Sequence, residues 1–134
     1  MAGVIRRVLL DTGVLIRLEE IDFGDLAGAE PAISAVTVAE LAYGLDVDDP
    51  VERFARTERY YAALDQFEVL PFTLAAAKVY GTLAALVRRS GRSPRPRRMD
   101  LQIAATAAAH GLPVLTTNLR DFTGLERVVE VIGV

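Results

Sequence analysis

The stretch RRMDLQIAATAAAHGLPVLTTNLRDF, residues 97–122, joins a small-residue helix to a short strand. The apolar run at residues 101–110 predicts the helix, and a glycine and a proline at residues 111–113 end it. A strand begins at residue 114. Asp100 stands at the start of the helix, and the alanines of the helix would let it pack closely on a sheet. The stretch therefore predicts an acid held against the end of a buried strand.

The same alternation of strand and helix extends over most of the chain. Apolar and β-branched runs predict strands at residues 4–10, 31–36, 69–70, 114–115 and 128–132. Helical patterns cover residues 13–20, 37–45, 51–66, 74–89 and 101–110. Alternation of this kind predicts an α/β fold with a central, mostly parallel β-sheet flanked by α-helices. In such sheets, ligands gather outside the carboxyl ends of the strands.

Composition limits the class of protein. A chain of 134 residues, 51% of them hydrophobic, suits one domain over residues 1–134. The absence of cysteine excludes disulfides, thiolate zinc sites and a cysteine nucleophile. The first ten residues are too short and too charged for a signal peptide, and no run approaches the ~18 apolar residues of a membrane span. We expect a soluble, cytoplasmic protein without a membrane partner.

The basic residues are unevenly distributed although the net charge is -3. Fourteen of the fifteen are arginine, and the loop before Asp100 is rich in them. Four of these arginines are candidates for RNA binding, with a solvated loop as the alternative: Arg92, Arg95, Arg97 and Arg98. A second possible contact face consists of Arg53, Arg56 and Arg59 with Tyr60 and Tyr61, although one of these tyrosines suits the core better.

Two acids in the first half of the chain have both a structural and a functional interpretation. Asp11 ends the first strand, where it could cap the following helix or point into a site. Glu40 follows Thr37 by three residues, which fits a capping box whose glutamate reaches back to the backbone. Neither acid indicates chemistry alone.

Two further acids lie in the C-terminal part of the chain. Asp100 lies at the N-terminus of its helix, where the helix dipole stabilises a negative charge. It could also pair with Arg97 or Arg98. Asp121 could be a turn residue beside Asn118. The predicted architecture can bring Asp100 and Asp121 to the same edge as the first strand's acid, and this convergence is the functional signal.

Three motifs together resemble one known family, the PIN domain, and specifically the VapC-type toxins of bacterial toxin–antitoxin pairs. The motifs are LLDTGVLI at residues 9–16, ISAVTVAELAYG at residues 33–44 and MDLQIAATAAAHGLPVLTTNLRDF at residues 99–122. The resemblance implies a small α/β PIN-like fold, a magnesium-dependent endoribonuclease and a homodimer. It also implies a cognate VapB-type antitoxin that occupies the active-site groove, in a toxin–antitoxin hetero-oligomer.

The resemblance also assigns the residues of the site. The family's acids fall on Asp11, Glu40, Asp100 and Asp121, as catalytic residues and metal ligands, and Asn118 is an alternative fourth ligand. Thr12, Thr116 and Asn118 take supporting roles. One departure is Gly13, which stands where the family more often has asparagine or serine, so a side-chain contact near the metal is missing.

Clustered carboxylates require a cation. Two of them ~4 Å apart repel by ~4 kcal/mol at an effective dielectric of ~20, so several in one pocket bind a metal or take up protons. Oxygen ligands suit Mg²⁺, with Mn²⁺ possible, and such an ion could position a water for in-line attack on a phosphodiester. The sequence does not favour a ribonuclease that uses histidines as general acid and general base. His110 is the only histidine, and its position suits a contact at a helix C-terminus.

Two other readings remain open. A phosphoryl-transfer domain, receiver-like or dehalogenase-like, also has an aspartate after its first strand. The dehalogenase-like motif needs a second acid at the position of Gly13, and both classes need a lysine near the later strands, whereas the only lysine is Lys78 within a helix. The second alternative is a catalytically inactive PIN-like subunit that binds only a partner or an operator. The sequence predicts neither the RNA target nor the stoichiometry.

Overall fold

A five-stranded sheet forms the centre of the computed structural model, which describes residues 6–134. All neighbouring strands are parallel, and their order is β3-β2-β1-β4-β5. The strands are β1 Arg7–Leu10, β2 Glu30–Ser34, β3 Glu68–Leu70, β4 Val114–Thr116 and β5 Val131–Gly133. The predicted α/β fold with a mainly parallel sheet is confirmed.

Helices connect the strands. They are α1 Thr12–Ile16, α2 Ala35–Tyr43, α3 Pro50–Gln66, α4 Leu74–Arg89 and α5 Arg98–Ala109. Short 3₁₀ turns occur at Leu18–Glu20, Gly24–Leu26, Arg95–Arg97 and Leu119–Phe122. No helix within residues 6–134 has the length and apolar composition needed to cross a membrane.

The register of the sheet aligns the ends of its central strands. Leu10 of β1 pairs with Leu115 of β4, so the residues that follow them are also level. Asp11 therefore stands beside Thr116 at the C-terminal edge of the sheet. The chain after β2 enters α2 at the same edge.

The core lies on both faces of the sheet, because side chains alternate along a strand. Leu9 packs with buried residues of α4 and α5 on one face. Val8 and Leu10 pack on the other face, with residues of α1 and with Ala63 of α3. Helices thus cover both faces, as a buried parallel sheet requires.

Two predicted elements near the N-terminus differ from the structure. The first strand was predicted over residues 4–10, but β1 begins at Arg7, and Val4 and Ile5 lie outside the described residues. The single helix predicted over residues 13–20 is wrong, because α1 ends at Ile16. Arg17 leaves the helical conformation at φ -107°, ψ 23°, and the chain tightens into a 3₁₀ turn.

The boundary between β2 and α2 lies earlier than predicted. Residues 31–36 were expected to be a strand, but α2 begins at Ala35 because Ser34 caps it. The Ser34 hydroxyl accepts a hydrogen bond from the Val36 N–H at 3.0 Å, as an N-cap serine does. The capping box expected of Thr37 and Glu40 is therefore wrong.

The last strand is also displaced. It was predicted over residues 128–132, whereas β5 covers Val131–Gly133. The N–H groups of Val128 and Val129 both bond to the carbonyl of Leu125, which holds these residues in a turn. The helices predicted at residues 51–66 and 74–89 are confirmed within one residue, with Asp49 capping α3.

Candidate active site

Asp11 is held by both neighbouring elements at the end of β1. It is the N-cap of α1, and its Oδ1 accepts from the Thr12 N–H at 2.9 Å. Its Oδ2 accepts from the Thr116 hydroxyl of β4 at 3.0 Å. The residue is only 8% exposed. The capping role predicted for Asp11 is therefore real, and it leaves the carboxyl group at the edge of the sheet beside the other acids.

Glu40 faces α1 from α2. Its Oε1 accepts from the Thr12 hydroxyl at 2.9 Å, and the hydroxyls of Thr12 and Thr37 are also 2.9 Å apart. Because the one hydroxyl proton of Thr12 is donated to Glu40, the buried Thr37 must donate to Thr12. Thr12 thus has a fixed orientation between two residues of α2.

Asn118 and Asp121 lie together after β4. The Thr116 hydroxyl accepts from the Asn118 N–H at 3.0 Å, and the Asn118 side-chain amide donates to Asp121 Oδ2 at 2.8 Å. The Asp121 N–H bonds to the Asn118 carbonyl at 3.1 Å, so the two residues share one turn. Asn118 therefore orients Asp121 and keeps its own side-chain oxygen available.

Asp100 lies in the first turn of α5, and its carboxyl group accepts no hydrogen bond from any described residue. The following residues, Leu101 and Ala104, are fully buried and hold the helix against the sheet. The suggested pairing with Arg97 or Arg98 is absent among residues 6–134. Arg97 Nη1 instead donates to the carbonyl of Arg120 at 3.2 Å.

Burial and the charges of neighbouring acids raise the pKa values of three carboxyl groups at this edge. Burial raises the pKa of Asp11 above its ordinary value, opposed by the hydrogen bonds from Thr116 and Thr12, and the charge of Asp121 raises it further. Burial also raises the pKa of Glu40, opposed by the Thr12 hydroxyl, and the charge of Asp11 adds to the rise. These couplings place Asp11, Glu40 and Asp121 in one electrostatic environment.

Asp100 shows the largest effect. Burial raises the pKa of its carboxyl group to about 6, and the charges of Asp11, Asp121 and Glu40 each contribute to the rise. The charge of Arg97 lowers this pKa but does not offset the other causes. The structure therefore brings all four predicted acids together, with Asp100 as the one most in need of a counter-charge.

The donor set fits a hard divalent cation. Within the described part of the chain, no three acidic or histidine side chains already stand as a preformed ligand group. Mg²⁺ does not require one, since it typically takes one or two carboxylates and fills its other positions with water and substrate phosphate. The available donors at this edge are oxygens, from the carboxyl groups of Asp11, Glu40, Asp100 and Asp121 and from the side-chain amide of Asn118. This chemistry suits a hard divalent cation.

Comparison with known proteins identifies the architecture. Residues 8–128 match the family model described as the PIN domain. The chain is 34% identical to Ribonuclease VapC4 of Mycobacterium tuberculosis over 126 residues, which are 92% of this chain and 95% of the relative. The chain belongs to the PIN-domain family. The family predicted from the sequence is thereby confirmed.

Other PIN-domain relatives agree. The tRNA(fMet)-specific endonuclease VapC of Shigella flexneri is 37% identical over 91 residues, covering 67% of this chain and 65% of that protein. The solved structure of VapBC-5 from Mycobacterium tuberculosis, a toxin–antitoxin system, superposes with a TM-score of 0.75 at 32% identity. It covers 96% of this chain and 97% of the other.

The arginine-rich loop of this PIN domain, residues 89–98, contacts the segment that carries Asp121. Arg92 Nη2 donates to the Thr123 carbonyl at 3.1 Å, and Arg97 contacts the Arg120 carbonyl. Arg95 and Arg98 are exposed. Two of the four arginines thus hold the loop in place, and each guanidinium has further donors. RNA binding by the four stays a prediction.

The sequence did not reveal two supporting side chains of this PIN domain. Thr37 was interpreted as a helix cap, whereas its hydroxyl orients Thr12. Thr106 is a fully buried hydroxyl on α5, and it lies 3.3 Å from the Ser34 hydroxyl at the start of α2. A lone threonine within a run of alanines was the available signal for Thr106.

Proposed function

We propose that this PIN domain is a Mg²⁺-dependent endoribonuclease that hydrolyses RNA phosphodiester bonds as the toxin of a toxin–antitoxin pair. One observation carries the proposal: Asp11, Glu40, Asp100 and Asp121 share one edge of the sheet, and three of them have raised pKa values. A site that concentrates negative charge around half-buried carboxyl groups is suited to a divalent cation. Membership of the VapC ribonucleases gives the reaction class.

Some residues of such a site would hold the metal, and others orient the acids. Asp11 and Asp100 would hold the metal, and Glu40 and Asp121 would complete the ring of oxygens directly or through water. A bound Mg²⁺ would supply positive charge that promotes deprotonation of a water and offsets the negative charge developing on the phosphodiester during hydrolysis. Thr12 orients Glu40, the Thr116 hydroxyl orients Asp11, and Asn118 orients Asp121. Each acid except Asp100 therefore has a dedicated neighbour that fixes it.

Cleavage by the purified chain, free of antitoxin, tests the proposed activity. The substrates are messenger, ribosomal and transfer RNA. The panel includes tRNA(fMet), because the Shigella flexneri relative is named as specific for it. We expect cleavage with Mg²⁺, restoration by Mn²⁺ after chelation, and none with the chelator alone. Cleavage that persists fully in the chelator would reject the metal-dependent mechanism.

The proposed partner is a cognate VapB-type antitoxin. The VapBC-5 structure, 32% identical to this chain, comes from a toxin–antitoxin system. An exposed apolar stripe on the outer side of α3 supports an interaction surface: Val51, Phe54 and Tyr61 are 77%, 68% and 64% exposed. The expectation that Tyr60 or Tyr61 belongs to the core is wrong, since Tyr61 is exposed and Tyr60 is only half-buried.

Co-expression tests the toxin role. We expect the chain to arrest growth when expressed alone and growth to resume when the antitoxin is supplied. We also propose that the chain acts in the cytoplasm, forms a homodimer and assembles with the antitoxin into a larger hetero-oligomer. Light scattering of the purified chain tests the homodimer. Growth arrest that the Asp100→Asn chain also causes would assign the toxicity to something other than cleavage.

The phosphoryl-transfer alternative has less support. Its chemistry needs a lysine close to the acids, and Lys78 is exposed in the middle of α4. The position of Gly13, where a dehalogenase-like domain has its second acid, has no side chain. The inactive-subunit alternative keeps the fold and predicts no cleavage under any metal condition.

A further inference from the structure

A cleft beside the acidic site, which consists of the four predicted acids, is lined by two of the three arginines of the second predicted contact face. It has a volume of about 380 Å³ and lies between the α1–α2 side of the site and α3. Thr12 and Glu40 of the acidic site contribute to its lining, and Arg56 and Arg59 of α3 also line it. The cleft therefore connects the proposed catalytic carboxylates with two guanidinium groups.

The two arginines differ in how they are engaged. Arg56 Nε donates to Glu52 at 2.8 Å, and its Nη1 donates to the Gly44 carbonyl at 2.8 Å. Its charge is matched and its position is fixed by the protein. Arg59, three residues later on α3, is half-buried. It makes no ion pair or side-chain hydrogen bond with any residue of the described chain. A partly desolvated guanidinium of this kind favours an anionic oxygen ligand.

Among the charged residues that line the cleft, Arg59 is the cation without a paired acid. Glu52 is neutralised by Arg56 at a distance of 2.8 Å. Glu40 belongs to the acidic site, where a bound metal would compensate its negative charge. An anion that enters the cleft beside the acids therefore meets one unpaired positive charge, at Arg59.

The depression on the other side of Arg59 is unfavourable for a polyanion. It is bordered by three acids, Glu19, Glu20 and Glu58. The only other basic residue in its lining, Arg17, is already paired with Glu20 at 3.2 Å. A nucleic-acid strand that reaches Arg59 would thus approach through the cleft next to Glu40.

We propose that Arg59 binds a phosphate of the RNA strand next to the scissile phosphate, and that the cleft between Glu40 and Arg59 carries that part of the strand. The inference rests on the proposed endoribonuclease function. Arg59 would bind the RNA, and the two hydrogen bonds of Arg56 would keep the wall of the cleft in place. The fork of a guanidinium matches two phosphate oxygens.

The structure separates Arg53 from the other two arginines of the predicted contact face, so it provides a matched control on the same helix. It is exposed and lines neither the cleft nor the neighbouring depression. Arg53→Gln and Arg59→Gln change the net charge equally, so a difference between them reports position and not overall charge. Neither side chain has a partner among the described residues, so both variants should keep the melting temperature of the parent.

The test measures binding of a fluorescein-labelled, single-stranded RNA of mixed sequence by anisotropy, at several salt concentrations. The parent is the Asp100→Asn chain with Mg²⁺ present, so that the RNA stays intact. We expect Arg59→Gln to weaken binding about three- to tenfold and to reduce the slope of log K against log salt by about 0.7. Arg59→Lys should keep the slope, and Arg53→Gln should keep both quantities.

Two results would overturn the inference. Equal effects of Arg59→Gln and Arg53→Gln would mean that only net charge matters. Unchanged RNA binding with weaker inhibition by the antitoxin would assign Arg59 to the protein partner instead. The proposed function fails separately, if the wild-type chain cleaves no RNA in Mg²⁺. If the wild type cleaves and Arg59 behaves like Arg53, only the inference about the cleft is wrong.

Discussion

Thr116 of β4 donates a hydrogen bond to Asp11 at the end of β1, with 3.0 Å between Oγ1 and Oδ2. The two residues are 105 positions apart in the chain and adjacent in the sheet, because Leu10 pairs with Leu115. The same hydroxyl accepts from the Asn118 N–H. One fully buried oxygen therefore links the first acid of the site to the turn that carries Asp121.

Replacing Thr116 by valine should weaken both the fold and the site. The change keeps the side chain's shape, but it removes the donor to Asp11 and the acceptor of the Asn118 N–H. We expect a loss of roughly 1–3 kcal/mol in the free energy of unfolding, measured in urea, because buried polar groups lose their partners. RNA cleavage should fall as well. Thr116→Ser retains the hydroxyl and should keep most of both properties.

A valine variant with wild-type stability and wild-type cleavage would mean that the hydroxyl is dispensable. A variant that loses stability but cleaves normally would separate the structural role of Thr116 from its role in orienting Asp11.

Asp100→Asn should stabilise the metal-free protein at neutral pH. The pKa of Asp100 is raised from 3.8 to about 6 in the folded state, so the folded chain holds its proton more tightly than the unfolded chain. Stability therefore falls as the pH rises from about 4 to about 6, and the asparagine variant lacks this loss. We expect a gain of roughly 1–2 kcal/mol at pH 7, after allowing for solvent screening of the partly exposed group.

The measurement is chemical denaturation in a chelator across this pH range. The two proteins should have equal stability near pH 4 and diverge above it. Equal stability at pH 7 would show that Asp100 is not strained by the neighbouring charges.

Magnesium should reverse the penalty for clustered acids. A ligand that binds only the folded state, at about 100 times its Kd, adds about 2.7 kcal/mol of stability. We expect Mg²⁺ to raise the melting temperature of the wild type by several degrees. The Asp11→Ala chain should lose this response, because Asp11 is a proposed ligand. An equal rise in both proteins would indicate nonspecific ion binding.

Ser34→Ala should destabilise the start of α2. The serine hydroxyl accepts from the Val36 N–H and lies beside the Thr106 hydroxyl. We expect a loss of about 1–2 kcal/mol in the free energy of unfolding, as for other N-cap replacements. Glu40→Gln should cost little stability at the same helix end, since Glu40 does not reach back to cap it. A larger loss from Glu40→Gln than from Ser34→Ala would favour the capping box.

The sequence predicted the parts of this protein that depend on local pattern. Strand and helix periodicity predicted the alternation of elements, and the position of Asp11 after β1 predicted the edge of the sheet where the acids meet. These features follow from burial of side chains within one element and from the rule that parallel strands end at a common edge.

Features that depend on tertiary partners were missed. Thr37 bonds to Thr12, 25 residues away, and the nearby Glu40 made a local capping box look sufficient. Arg97 contacts the Arg120 carbonyl and not the adjacent Asp100. Either Tyr60 or Tyr61 was expected to belong to the core, but Tyr61 is exposed and Tyr60 is only half-buried. The spacing of apolar residues on a helix does not distinguish a core face from a partner-binding face.

The most direct test of the central claim compares RNA cleavage by the wild type, Asp100→Asn and Asp65→Asn in Mg²⁺. Asp65 is an exposed acid on α3 and gives the same change of charge. We expect Asp100→Asn to lower the cleavage rate about 100-fold or more, as loss of a charge-stabilising group in an active site does, and Asp65→Asn to have no effect. Cleavage by the folded Asp100→Asn chain at the wild-type rate would contradict the claim that the clustered acids perform the hydrolysis.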